Sequence, residues 1–191
     1  AFDGPELQEV LVFSNSYHES LAPSECEIAD DAFPNNADYH IYVPSDKVDD
    51  FQQAWTMFAD KIAAYPTTVT VGDYEYSYKQ YDLTSATVSL KKYIGSDSYI
   101  TLPESPRNGE KFLYITGIED GAFADNKSIK TVTIPYTFSG YSFVVNRLFN
   151  GCSNLSKVFI KSNDLYRNLG FGADCFSGCS SNLLIYVPNY L

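Results

Sequence analysis

The 191-residue sequence predicts a mainly β solenoid, a stack of short coils each closed by a strand, and three observations carry that expectation. GAFADNKSIKTVTIP (121–135), RLFNGCSNLSKVFIK (147–161) and DCFSGCSSNLLIYVP (174–188) align, placing Phe123, Phe149 and Phe176 26 and then 27 residues apart. Their closing segments alternate inward apolar residues with outward ones, the period of a strand with one buried face. The tetrapeptide IYVP occurs twice, at 41–44 and 185–188, and marks the close of two related stretches.

Within the first two aligned segments the apolar residues fall on L-x-x-L-x-L, as Ile129, Val132 and Ile134 and then as Leu155, Val158 and Ile160. This is one leucine-rich-repeat coil followed by another. A single coil cannot bury its own apolar face, and stacking buries it, each strand lying about 4.8 Å from the next. Gly151 and Gly178, with the Asn and Ser around them, supply the tight turn that feeds each strand.

The beginning of the chain carries weaker copies. AFDGPELQEVLVF (1–13) offers Leu7, Val10 and Val12, and DAFPNNADYHIYVP (31–44) offers Phe33, Ile41 and Val43. Residues 45–65 then place Val48, Phe51, Trp55, Phe58 and Ile62 at helical spacing, with Ser45 or Asp46 as N-cap and Pro66 as stop. The expectation is one amphipathic capping helix, about residues 46–65, lying across the open end of the stack and shielding its edge. The regular spacing assigns Trp55 to packing rather than to a ligand.

Residues 67–118 alternate as strands punctuated by Gly72, Gly95 and Gly109, and Ile100 and Leu102 before Pro103 resemble another rung. Two segments are therefore expected: a partial leucine-rich-repeat segment over 1–66 closed by a helix, and a second over 67–191. The second IYVP is followed by no helix, so either further chain or another element is expected to shield that end.

Composition bounds the function. With 45% hydrophobic and 19% charged residues the chain reads as folded, and 24 acidic against 13 basic residues, a net charge of −11, disfavour nucleic acid and anionic membranes. No apolar run is long enough to span a bilayer, and the first residues lack the pattern of a signal peptide. His18 and His40 stand in no catalytic motif, and Asp30–Asp31 and Asp49–Asp50 lack the alternating ligands and central Gly of a calcium loop. No catalytic residue, metal site or cofactor is expected. NKS (126–128) and NLS (154–156) match the glycosylation acceptor pattern, but an Asn/Ser-rich turn generates it by composition.

Cys26, Cys152, Cys175 and Cys179 contain no CxxC pair. Cys152 and Cys179 occupy equivalent turns, so a disulfide is one reading, and a small buried thiol chosen for its size is the preferred one.

ITGIEDGAFADNKSIKTVTIP, LFNGCSNLSKVFI and IYVPSDKVDDFQQAW closely resemble the BspA-type leucine-rich-repeat proteins, surface or secreted proteins of host-associated anaerobic bacteria. Departures include Pro5 where the later coils have Cys152 and Cys179, and Lys161 where the first has Pro135. The resemblance implies a cell-surface or secreted location and binding or adhesion to a host or neighbouring-cell protein, glycoproteins included. It implies no catalytic residues.

If the chain binds, the repeat indicates where. The outward middle positions of the strands are Thr133, Phe159 and Tyr186, and in the first half Leu11 and Tyr42. A ribbon of outward aromatics suits a protein-contact surface. The alternatives are that these rings pack on one another, and that the chain is a structural spacer in a larger surface protein.

Overall fold

The structure, a computed structural model, describes residues 9–12, 29, 32–33, 38–81, 85–135, 143–161 and 169–188. Leu7, His18, Cys26 and the Asp30–Asp31 pair lie outside the described residues. The chain divides into two compact units, Ala1–Pro66 and Thr67–Leu191.

In the first unit, β1 (Glu9–Leu11), β2 (His40–Val43) and β3 (Ile62–Ala64) form a parallel three-stranded sheet in that order. Ile41 and Val43 are fully buried, and Phe33, Phe51, Trp55, Phe58 and Ile62 complete their core. The expected helix over 46–65 is corrected here. Ser45–Lys47 is a 3-10 turn, α1 spans only Val48–Ala54, and Thr56–Lys61 is again 3-10. The α-helix stops at Trp55, which leaves the helical region at φ −108°, ψ 60°. Phe58 follows three residues after Trp55, the repeat of a 3-10 turn rather than an α-helix, and both rings reach the core. Ile62 then enters a strand, with Ile41 paired to Ile62 and Val43 to Ala64. The segment is thus a coil of its own, helix then rung, and does not simply lie across an open end. Neither Ser45 nor Asp46 caps α1; Lys47 holds that position without a side-chain bond.

Among its described residues the second unit contains four successive strand–turn–strand coils. The first runs from β6 (Ser85–Tyr93) to β7 (Tyr99–Thr101), and the second from β9 (Lys111–Ile118) to β10 (Thr131–Ile134). The third joins β11 (Phe143–Val145) to β12 (Lys157–Ile160), and the fourth β13 (Leu169–Phe171) to β14 (Leu184–Tyr186). The closing strands build one parallel sheet in the order β7-β10-β12-β14, with Ile100, Val132, Val158 and Ile185 in one row. Among the described residues each unit is mainly β, a leucine-rich-repeat solenoid stack, and the chain has one short α-helix.

The stretch 67–118 is not built of coils alone. β4 (Thr68–Val71) and β5 (Tyr74–Tyr81) form a hairpin, β8 (Arg107–Asn108) turns onto β9, and with β6 they make a five-stranded mixed sheet, β4-β5-β6-β9-β8. Each hairpin has a two-residue loop whose first residue is a glycine with positive φ, Gly72 at 57° and Gly109 at 59°. That is the conformation a tight antiparallel turn requires at this position.

The turns stack as regularly as the strands. Phe123 N–H donates to the Leu148 carbonyl at 3.0 Å and Phe149 N–H to the Cys175 carbonyl at 2.8 Å. Asp125 and Gly151 N–H donate likewise, to Asn150 and Ser177, both at 2.7 Å. Phe123, Phe149 and Phe176 form a column with centroids 5.2 and 5.8 Å apart. Tyr93 heads that column, 5.8 Å from Phe123, and its N–H donates to Ala122 as a coil phenylalanine would.

Candidate interaction surface

Alternation along a strand sends every second residue out of the core, and parallel in-register pairing lines these residues up across coils. One outward row contains Thr101, Thr133, Phe159 and Tyr186, and a second contains Tyr99, Thr131, Lys157 and Leu184. Thr133, Phe159 and Tyr186 therefore share a row, as their spacing predicts. Phe159 and Tyr186 stack face to face, centroids 4.6 Å apart and planes 12° apart. Tyr186 remains 43% exposed and Tyr99 74% exposed, so the face presents aromatic area at both ends.

The second row was within reach of sequence reasoning, because each member lies two residues before a member of the first. Tyr99 and Thr101 were harder to place, since the loop from Tyr93 to β7 is shorter than in later coils. Tyr93 follows Lys92, where Phe123, Phe149 and Phe176 follow Ala122, Leu148 and Cys175, so the sequence does not mark it as the head of the column.

In the first unit Leu11 pairs with Tyr42, and Ala63 follows in the same row. The Tyr42 ring stacks on His40 at 5.8 Å and on Tyr65 at 6.4 Å. Burial, and then the nearby Glu9 carboxylate, push the Tyr42 phenol above its ordinary pKa. Tyr65 donates its hydroxyl to the Val12 carbonyl at 2.5 Å. Leu11 and Tyr42 are both half-buried.

The turn residues hold the coils together. Asn146 N–H donates to one Asp120 oxygen at 2.8 Å, its side-chain amide donates to the other at 3.1 Å, and its side-chain carbonyl accepts from Ala173 N–H at 3.0 Å. These bonds, with Arg147 adjacent, hold the Asp120 carboxyl below its ordinary pKa. The Asn126 side-chain oxygen accepts from Ser128 and Ile129 N–H, and Asn154 donates to the Lys127 carbonyl. The asparagines of both NxS triplets thus act as turn residues.

Cys152, Cys175 and Cys179 are free thiols. Each donates to a carbonyl one coil back, Cys152 to Phe123 at 2.9 Å, Cys175 to Val145 at 2.8 Å and Cys179 to Phe149 at 3.2 Å. Burial pushes the Cys152 thiol up to about 11, away from the reactive thiolate.

Asp49 and Asp50 lie exposed in the first turn of α1, where Asp50 pairs with Lys47 at 3.4 Å. Among the described residues no group of three or more His, Cys, Asp or Glu side chains converges as a metal site, and no helix is long and apolar enough to cross a membrane.

The chain is similar to two solved structures. One is a leucine rich cell surface protein from Faecalibacterium prausnitzii A2-165, at 25% identity and TM-score 0.47 over 64% of this chain and 32% of that one. The other is a leucine-rich repeat protein from Bacteroides capillosus ATCC 29799, at 20% identity and TM-score 0.41 over 65% of this chain and all of that one. The match thus spans about a third of the Faecalibacterium protein. No protein-family profile and no curated protein matches the chain.

Proposed function

We propose that this chain is a non-catalytic leucine-rich-repeat module, displayed at a cell surface or secreted, that binds a host or neighbouring-cell protein through the outward face of its parallel sheet. The observation that carries the reading is the pair of outward rows, in which Tyr99, Leu184 and Tyr186 stay exposed on a rigid ladder. Exposed aromatics fixed on a strand add contact area with little loss of side-chain freedom, and protein contacts concentrate their energy in such rings. The sequence resemblance to BspA-type surface proteins supports the location and the class of partner. Lys157 between Thr131 and Leu184 adds a cation to the face of an acidic chain.

The test is binding of the 191-residue protein to an immobilised panel of host matrix proteins and glycoproteins. Phe159→Ser with Tyr186→Ser should weaken capture at least tenfold while leaving the circular dichroism spectrum unchanged. Undiminished capture by the double variant would overturn the assignment of this face.

A second reading is favoured by one specific observation. The Phe159–Tyr186 stack lets each ring cover the other, as cross-strand pairs do in spacers without a ligand. Absence of capture by the unmutated protein across the whole panel would favour that spacer role.

A further inference from the structure

The net charge of −11 is not spread evenly along the chain. Ala1–Pro66 holds 13 of the 24 acidic residues and 2 of the 13 basic ones, so Thr67–Leu191 holds 11 of each and is neutral as a whole. Within that neutral unit the two outward rows of the ladder contain no carboxylate, and their one charged residue is Lys157. Lys161 extends the strip. Its N–H donates to the Ile134 carbonyl at 2.9 Å, so the ladder continues one residue past β12, and alternation gives Lys161 the side of Lys157 and Phe159. Both lysines are exposed. Lys47, Lys79, Lys91 and Lys127 each pair with a carboxylate, whereas among the described residues neither Lys157 nor Lys161 does. Phe159 lies midway between them. Its ring and that of Tyr186 stack with centroids 4.6 Å apart, about the spacing of paired strands, so their faces are turned along the ladder and their edges toward solvent. An aromatic edge carries the positive end of the ring quadrupole, so β12 presents a cation, a positive edge and a second cation in line.

We propose that the strip Lys157, Phe159 and Lys161 binds an extended acidic segment of the partner protein, in which two carboxylates stand four residues apart with an aromatic residue midway. The proposal rests on the reading of the outward face as a protein-binding surface and adds the chemistry of what that surface takes. A segment in strand conformation shares the period of two, so its residues i, i+2 and i+4 face the ladder together. Four residues of strand span about 13 Å in either chain, which sets one carboxylate against Lys157 and the other against Lys161. The ring between them turns its face to the edges of Phe159 and Tyr186, the edge-to-face arrangement that aromatic pairs favour. A sulfated glycan shares the negative charge, but a sugar stacks on an aromatic face, and the Phe159 face turned to Tyr186 is already taken. The charge split also selects the unit. An acidic segment is drawn to this strip and repelled by the 13 acidic residues of Ala1–Pro66.

The test measures binding of the 191-residue protein to two short synthetic peptides, one with Glu-Thr-Phe-Thr-Glu at its centre and one with both Glu replaced by Gln. The Glu peptide should bind at least tenfold more tightly than its Gln counterpart, and that margin should vanish as ionic strength rises from about 0.05 to about 0.5 M. Lys157→Gln with Lys161→Gln should remove the margin while leaving binding of the Gln peptide and the circular dichroism spectrum unchanged. Any of four results would overturn the proposal: no binding of the Glu peptide at millimolar concentration, equal affinity for the two peptides, an undiminished margin in the lysine variant, or tighter binding of a heparin oligosaccharide than of the Glu peptide, which would assign the strip to sulfated glycans. Failure here is distinct from failure of the proposed function. Panel capture that is lost in the Phe159→Ser, Tyr186→Ser variant but kept in the Lys157→Gln, Lys161→Gln variant would sink the acidic segment and keep the face.

Discussion

Two residues in the turn of each of the last three coils take the left-handed conformation. Gly121, Arg147 and Asp174 hold one such position, with φ of 72°, 54° and 56°, and Asp125, Gly151 and Gly178 hold the other, with φ of 60°, 73° and 73°. An L side chain in this region costs about 1–2 kcal/mol, partly offset for glycine by its freer unfolded chain. Arg147→Gly should therefore stabilise the protein by about 0.5–1 kcal/mol, read from the urea midpoint at unchanged slope. Gly151→Ala should do the opposite, since an added Cβ also meets the Asp125 carboxylate. The tight turns at Gly151 and Gly178 were legible in the sequence. The matching roles of Arg147 and Asp174 were not, because Arg does not advertise positive φ, Asp does so only weakly, and the 26- and 27-residue register is what aligns them with Gly121.

Asp120 carries a pH dependence of defined sign. Its carboxyl is held below its ordinary value by bonds from Asn146, so its stabilising contribution is present above the unfolded pKa and is lost as pH falls through the folded one. Asn146→Ala removes the side-chain amide bond and keeps the backbone one, so it should raise the Asp120 carboxyl, followed by its carbon chemical shift, only part of the way toward the unperturbed value of about 3.9. An unchanged titration in that variant would leave the backbone N–H of residue 146, and not its side-chain amide, as the cause.

At the scale of the element, the phenylalanine column distinguishes interior coils from the last one. Phe149 is fully buried between Phe123 and Phe176, whereas Phe176, among the described residues, has one ring above it from Phe149 and one beside it from Phe171, 5.1 Å away. Phe149→Ala should cost about 3–5 kcal/mol, the range for removing a buried ring, and Phe176→Ala roughly half as much. Equal losses in urea unfolding would mean that the column does not share its burial between neighbours. The column and its rungs were readable because each coil repeats both the aromatic and the strand pattern. The helix over 46–65 was over-extended for a physical reason: Phe51, Trp55, Phe58 and Ile62 satisfy an α-helical stripe equally well, and only pairing of Ile62 with Ile41 decides for a strand. The five-stranded sheet was legible as strands but not as a sheet, since two-residue hairpins at Gly72 and Gly109 fix local pairing while the parallel β6–β9 contact is non-local.

At the scale of the molecule, most of the candidate surface follows from one regularity, the fixed register of parallel coils. It aligns Thr133, Phe159 and Tyr186 without any contact that the sequence states directly. The identity of a bound partner does not follow from that regularity, because an outward ring is compatible with a contact surface and with a neighbour's stack alike. The main-chain bonds between turns have a different consequence. They run from Phe123 to Leu148 and from Phe149 to Cys175 through groups every residue possesses, so these junctions, unlike the Asn146–Asp120 pair, do not depend on side-chain identity. In-frame recombination between such blocks would lengthen or shorten the stack while leaving these main-chain junctions intact, and reach is therefore a property that its coding sequence can vary readily.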